Sequence, residues 1–180
     1  MAPAALLKLD TAPDLVERVH AALVDAIGSG ALALLQHPEQ LERLRAEPYL
    51  IKSAVEELVR FVAPVEQATE RYAVEGAQVA GVPIPRGELV VGVLTSANRD
   101  AAQFDAPDTL DLGRTRNRHL AFGVGIHYCL GAPLARLEAQ IALSTLVQGA
   151  PRLGLAVPAG SLRWRSSFIV RGLQRLPVTL

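Results

Sequence analysis

The only cysteine in this 180-residue chain, Cys129, lies in the stretch AFGVGIHYCLG, residues 121–131. Glycines stand at 123, 125 and 131, and a histidine at 127. A cysteine packed as a small buried hydrophobe needs none of these neighbours. Glycine permits tight turns and lets the backbone approach something flat or bulky. A helix predicted from about Pro133 would begin just beyond the sulfur, and the N–H groups and partial positive charge at its start favour a thiolate. Together these features suit a sulfur held as an anion beneath a cofactor.

Other chemistries fit less well. A zinc site needs about four ligands, and one cysteine with four scattered histidines offers no ligand spacing. The C-x-x-C-H of covalent haem attachment is absent. In a dinucleotide loop, G-x-G-x-x-G, the third glycine would have to come earlier than Gly131. A cysteine nucleophile with His127 as base stays open, although residues two apart rarely meet in the geometry this requires. What remains is thiolate ligation of haem iron.

Composition narrows the classes further. Basic and acidic side chains number 18 each, so there is no formal net charge, which argues against a nucleic-acid partner. Half the residues are apolar, enough for a real core in one domain or a large piece of one. A lone cysteine forms no internal disulfide. The start, MAPAALLKLD, places its lysine after the short apolar run, the reverse of a secretory signal. The run LVVGVL is far shorter than the ~20 residues of a membrane span. A cytoplasmic protein without a membrane partner is the expectation.

The elements that must position Cys129 follow from period and punctuation. Thr11 as N-cap and Pro13 in the first turn open a predicted helix in which Leu15, Val19, Leu23, Ile27 and Leu34 keep helical spacing until His37 and Pro38. PEQLERLRAEP predicts a second helix between prolines 38 and 48, and YLIKSAVEELVRFV a third, stopped by Pro64. ERYAVEG and QVAGVPIPRGELVVGVLTS predict short strands joined by turns. A loop of some thirty residues runs from about Asn98 to Gly131, long enough to be functional. The helix from Pro133 to Gln148 follows, with Gly149 at its end. LRWRSSFIVRGLQRLPVTL predicts a terminal hairpin. The fold class is mainly α with small β-sheets.

FGVGIHYCLG resembles the haem-ligand loop of the cytochrome P-450 superfamily, F-G-x-G-x-[HR]-x-C-x-G, at every fixed position. EELVR, with Glu57 and Arg60, resembles the E-x-x-R of the family's K helix. VPIPRGELVVGVLTSANRD, HLAFG and LRWRSSFIVRGLQRLPV resemble the soluble bacterial branch. The likeness runs from about residue 27 to the end, which divides the chain into an atypical helical segment, 1–26, and a haem-binding C-terminal portion of the fold, 27–180.

The resemblance implies haem b with Cys129 as axial iron ligand, cradled by Phe122, Gly123, Gly125 and Gly131. Arg71, His119 and His127 match positions facing the haem propionates, where cations neutralise carboxylates in an apolar slot. Glu57 and Arg60, three apart on one helix face, would form the structural pair behind the haem. Val65 and Gln67 in PVEQAT, and Phe168 and Ile169 in SSFIV, would face an organic substrate. The implied activity is insertion of one oxygen atom, with electrons from NAD(P)H through a ferredoxin reductase and a ferredoxin. The RTRNR run, arginines 114, 116 and 118, reads as a solvated loop or as a docking patch for that acidic ferredoxin.

The departures bear on activity. A complete family member is more than twice as long, and the missing half builds most of the substrate pocket and the wall over the haem. Where the central helix carries [AG]-G-x-[DE]-T-[TS], this chain has VHAALVDA: Asp25 is acidic, but no alcohol accompanies it, so no catalytic residue is assigned. The family's P-D-R-F appears as PDTL, with Thr109 in place of the arginine that completes the Glu57–Arg60 network, and Arg114 as a possible substitute. The expectation is a truncated monooxygenase that self-associates through uncovered surface. The alternative is an inactive haem-binding remnant or an interaction module completed by another chain.

Overall fold

Three helices make the frame. The computed structural model describes residues 15–180, with side chains from residue 24, so Thr11, Pro13 and the side chains of Leu15, Val19 and Leu23 lie outside the described residues. Helix α1 spans Leu15–Gln36 and continues unbroken through residues 26 and 27. Helix α2, Pro38–Ala46, starts on a proline with Glu39 in its first turn and ends with Arg43 and Arg45, charges that suit both ends of its dipole. Helix α3, Ile51–Val62, ends where Ala63 takes a left-handed conformation (φ 39°) before Pro64.

A short helix α4, Leu94–Ala97, leads into the long irregular segment, and α5 spans Ala132–Gly149 with Gly131 at its N-cap. The core lies between α1, α2, α3 and α5: Leu34, Leu44, Ala54, Val55, Leu58, Leu143 and Val147 are fully buried there with Leu110 and Leu112 from the irregular segment. Gly30 faces Leu58 and Leu143, where a Cβ would make ordinary contacts at 3.8 Å.

The strands form three two-stranded antiparallel sheets. Strand β1 (Arg71–Tyr72) pairs with β4 (Leu89–Val90), β2 (Ala77–Val79) with β3 (Val82–Ile84), and β5 (Gly154–Leu155) with β6 (Val178–Thr179). Ala80 and Gly81, both at positive φ, make the two-residue turn of the β2–β3 hairpin. The class is therefore the expected one, mainly α with small sheets.

The short strands are joined by turns as expected, but the last of them ends early: the run after Leu89 leaves β4 at Val90, bridges Gln67 at Val93 and turns into α4, where Leu94 N–H donates to Glu66 C=O. The C-terminal stretch does double back, with Arg165 N–H donating to Gly172 and Gln174 N–H to Arg163, but it carries only isolated bridges between Leu155 and Val178. Among the described residues no helix is long and apolar enough to cross a membrane.

Candidate haem-thiolate site

Cys129 is a free, exposed thiol at the end of a tightly wound loop. Its N–H donates to Phe122 C=O (2.8 Å), and its own C=O accepts from Ala132 N–H (3.2 Å), so the loop is closed on itself and joined to the first residue of α5. Gly123 (φ 73°) and Gly125 (φ 66°) take left-handed conformations that favour glycine. At Gly123 a Cβ would also press on His127 C=O at 3.1 Å. The loop therefore needs both its conformational freedom and its lack of side chain at that point.

Around the sulfur the loop turns apolar side chains outward. Val124 and Tyr128 are exposed, and Ile126 and Leu130 are 98% and 99% exposed. An apolar surface of this kind beside a presented thiol fits a flat, largely apolar macrocycle ligated by sulfur. His127 and Arg71 are likewise exposed, available to the carboxylates of such a group. Arg71 sits on β1, its guanidinium donating to Thr69 C=O at 2.7 Å.

Beneath the loop lies a polar network centred on α3. Glu57 and Arg60 are both fully buried and joined by a two-bond fork, 2.8 Å each way. The Glu57 carboxylate also accepts from Asp111 N–H (3.0 Å), Arg114 Nε (3.0 Å) and Asn117 Nδ2 (3.1 Å). Arg60 spends its other donors on the C=O groups of Asn98, Pro107 and Thr109. A buried ion pair is tolerable only when its remaining valences are met, and here each is. The irregular segment 98–117 is held in shape by these two side chains.

Arg114 occupies the place left by Thr109, which contributes only its backbone oxygen to Arg60 and Arg114. The reading of the RTRNR run as a plain solvated loop is thereby corrected: the Arg114 side chain is 10% exposed and paired with Glu57, while Arg116 and Arg118 are exposed.

His119 is placed inside the protein. Its ring is buried, Nδ1 accepts from Ala121 N–H (3.3 Å), and Nε2 lies 3.0 Å from Glu56 Oε2. Glu56 has a second partner, Arg136, which no sequence motif marks. Their only trace in the sequence is the doubled glutamate of EELVR, whose members serve separate networks.

The two stretches expected to face substrate lie side by side. Val65 bridges Val170, and Glu66 N–H donates to Ile169 C=O (2.8 Å). Phe168 and Ile169 are exposed, and Val65 and Gln67 are partly buried. Asp25, the acid without a neighbouring alcohol, is buried and paired with Arg165 (3.1 Å). It ties α1 to the C-terminal turn.

The family model for cytochrome P450 matches residues 3–149. The chain belongs to the cytochrome P450 family. It is 46% identical over 157 residues to the polyketide biosynthesis cytochrome P450 PksS of Bacillus subtilis (strain 168), covering 87% of this chain and 39% of that protein. It is 49% identical over 161 residues to the vitamin D(3) 25-hydroxylase of Pseudonocardia autotrophica, covering 89% and 40%. Among solved structures, the P450 monooxygenase TamI superposes with a TM-score of 0.87 at 45% identity, over 91% of this chain and 40% of that one. The chain thus spans about 40% of the length of the P450 relatives it matches. What is described above is part of the P450 fold.

Proposed function

We propose that this chain is the cysteine-bearing portion of a bacterial haem-thiolate monooxygenase, binding haem b through Cys129. The observation that carries the reading is the presentation of the only thiol, exposed among apolar side chains on a loop closed by its own hydrogen bonds. Phe122, Gly123, Gly125 and Gly131 would cradle the group, and Arg71 and His127 would meet its carboxylates. When bound, the haem supplies the chemistry that inserts one oxygen atom into an organic substrate. Val65, Gln67, Phe168 and Ile169 are the residues of this chain that would touch that substrate. Electrons would come from NAD(P)H through a ferredoxin reductase and a ferredoxin, in the cytoplasm, with the exposed Arg116 and Arg118 as contacts for the ferredoxin.

The test is spectroscopic. Haem-loaded ferrous protein under carbon monoxide should give the strongly red-shifted Soret band of thiolate ligation, and Cys129→Ser should abolish it. A histidine-type band, or one indifferent to the substitution, overturns the reading.

A second reading, a haem-binding module without turnover, is favoured by one observation. Asp25, the acid nearest the expected proton-relay position, is already held by Arg165. Turnover with added ferredoxin and reductase separates the two: product formation by the isolated chain removes the second reading.

A further inference from the structure

The half-buried carboxylate next to Glu57 belongs to a separate cluster that reaches the cysteine loop. Glu56 Oε1 accepts from Arg136 Nε (2.6 Å), and Oε2 accepts from Arg136 Nη2 (2.9 Å) and from His119 Nε2 (3.0 Å). Arg136 reaches on through Nη1 to the Tyr128 hydroxyl (2.8 Å). Its guanidinium also lies 4.4 Å from the centre of the Phe122 ring. The His119 ring is 5.9 Å from the same ring. Phe122 in turn accepts the Cys129 N–H.

These contacts touch the loop at each point where it could slide. His119 fixes its entrance, Phe122 its middle, Tyr128 the residue before the cysteine, and Arg136 the second turn of α5 beyond it. His119 and Arg136 meet on one side chain of α3, with Tyr128 and Phe122 held through Arg136, and α3 is rooted in the core by Ala54, Val55 and Leu58. A bidentate guanidinium–carboxylate pair fixes angle as well as distance, which a single hydrogen bond does not. Glu57 by contrast holds only residues upstream of the loop, Asp111, Arg114 and Asn117. We infer that Glu56 is a positioning residue for the Cys129 sulfur, acting through Arg136 and His119 to hold both arms of the cysteine loop against α3. The inference takes its functional meaning from the haem-thiolate reading, but its geometry is independent of it.

Two readouts on the full chain keep those apart. Amide hydrogen exchange followed by mass spectrometry needs no haem. In Glu56→Ala and in Arg136→Ala, exchange across residues 119–131 should rise by about tenfold or more, while segments 107–117 and 143–147 change by less than about twofold. In the double variant the two effects should be less than additive, since both single changes remove the Glu56–Arg136 pair. In haem-loaded samples each single variant should lose most of its red-shifted ferrous carbon monoxide band to a shorter-wavelength form, at unchanged helix content.

Protection that stays unaltered at 119–131, or that falls uniformly through the core, overturns the inference. So does a failure of both single variants to fold, which would make the cluster part of the core rather than an anchor for the loop. If the parent lacks the thiolate band while the local exchange effect appears, the anchor is upheld and the haem reading falls. If the parent and both variants show the band alike, the haem reading stands and the anchor falls.

Discussion

Glu57 takes five donated hydrogen bonds and has no exposed atom, so it is the side chain whose loss the structure tolerates least. Glu57→Ala leaves two buried guanidinium groups without their anion. The expected cost is about 3–5 kcal/mol, a melting temperature lower by roughly 6–20 °C for a chain of this length, and a parallel fall in haem retention. Thermal melting with a haem-retention assay checks this. Its neighbour Glu56 gives a pH signature. Burial pushes the Glu56 carboxyl up, but the hydrogen bonds and charges of His119 and Arg136 outweigh it and hold the pKa at about 2 against an ordinary 4.5. A depressed carboxylate stabilises the fold fully above its unfolded value and loses that contribution as pH falls through its folded one. Stability should therefore decline between about pH 4.5 and 2, and Glu56→Gln should flatten that part of a urea-midpoint profile. Of these groups, Glu57, Arg60 and Cys129 could be read in the sequence because each belongs to a short local pattern. The Glu56–Arg136 pair could not, since its partners are 80 residues apart and nothing periodic links them.

Helices α1, α2, α3 and α5 were readable from apolar spacing and from the prolines that bound them, and they form the part of the fold that carries the core. The strands were less so. A pair such as β1–β4 is two residues long, and whether Val93 bridges Gln67 or extends a strand is decided by hydrogen bonds from PVEQAT, not by its own propensity. The tie between α1 and the C-terminal turn was likewise invisible, because it pairs Asp25 with a residue 140 positions away. Gly172 is what lets that turn close on α1: a Cβ there would lie 2.4 Å from the Asp25 carboxylate. Gly172→Ala should displace Asp25, break its pair with Arg165 and cost about 1–3 kcal/mol. In an Asp25→Ala background the same change should cost much less, and a double-mutant cycle by urea denaturation measures the difference.

Along the outer face of α5, Leu134, Leu137 and Ile141 form an exposed apolar stripe that adds to Ile126 and Leu130 on the cysteine loop. Large apolar side chains exposed together on one helix face mark an interface or an aggregation site. The isolated 180-residue chain should therefore elute from size-exclusion chromatography as oligomer or aggregate, with low turnover. Replacing Leu134, Leu137 and Ile141 by glutamine should shift it toward monomer; a monodisperse parent would count against the stripe as a sticky face. The convergence on α3 also orders events in time. Translation delivers Glu56 and Glu57 well before their last partners: Asn117 follows Glu57 by 60 residues and Arg136 follows Glu56 by 80. At 5–20 residues per second, the second wait lasts roughly 4–16 s. Throughout it Glu56 lacks its guanidinium partner while Glu57 already has Arg60 on the same helix, so on the ribosome the Glu56 face of α3 must stay solvated while α1 and α2 are already complete.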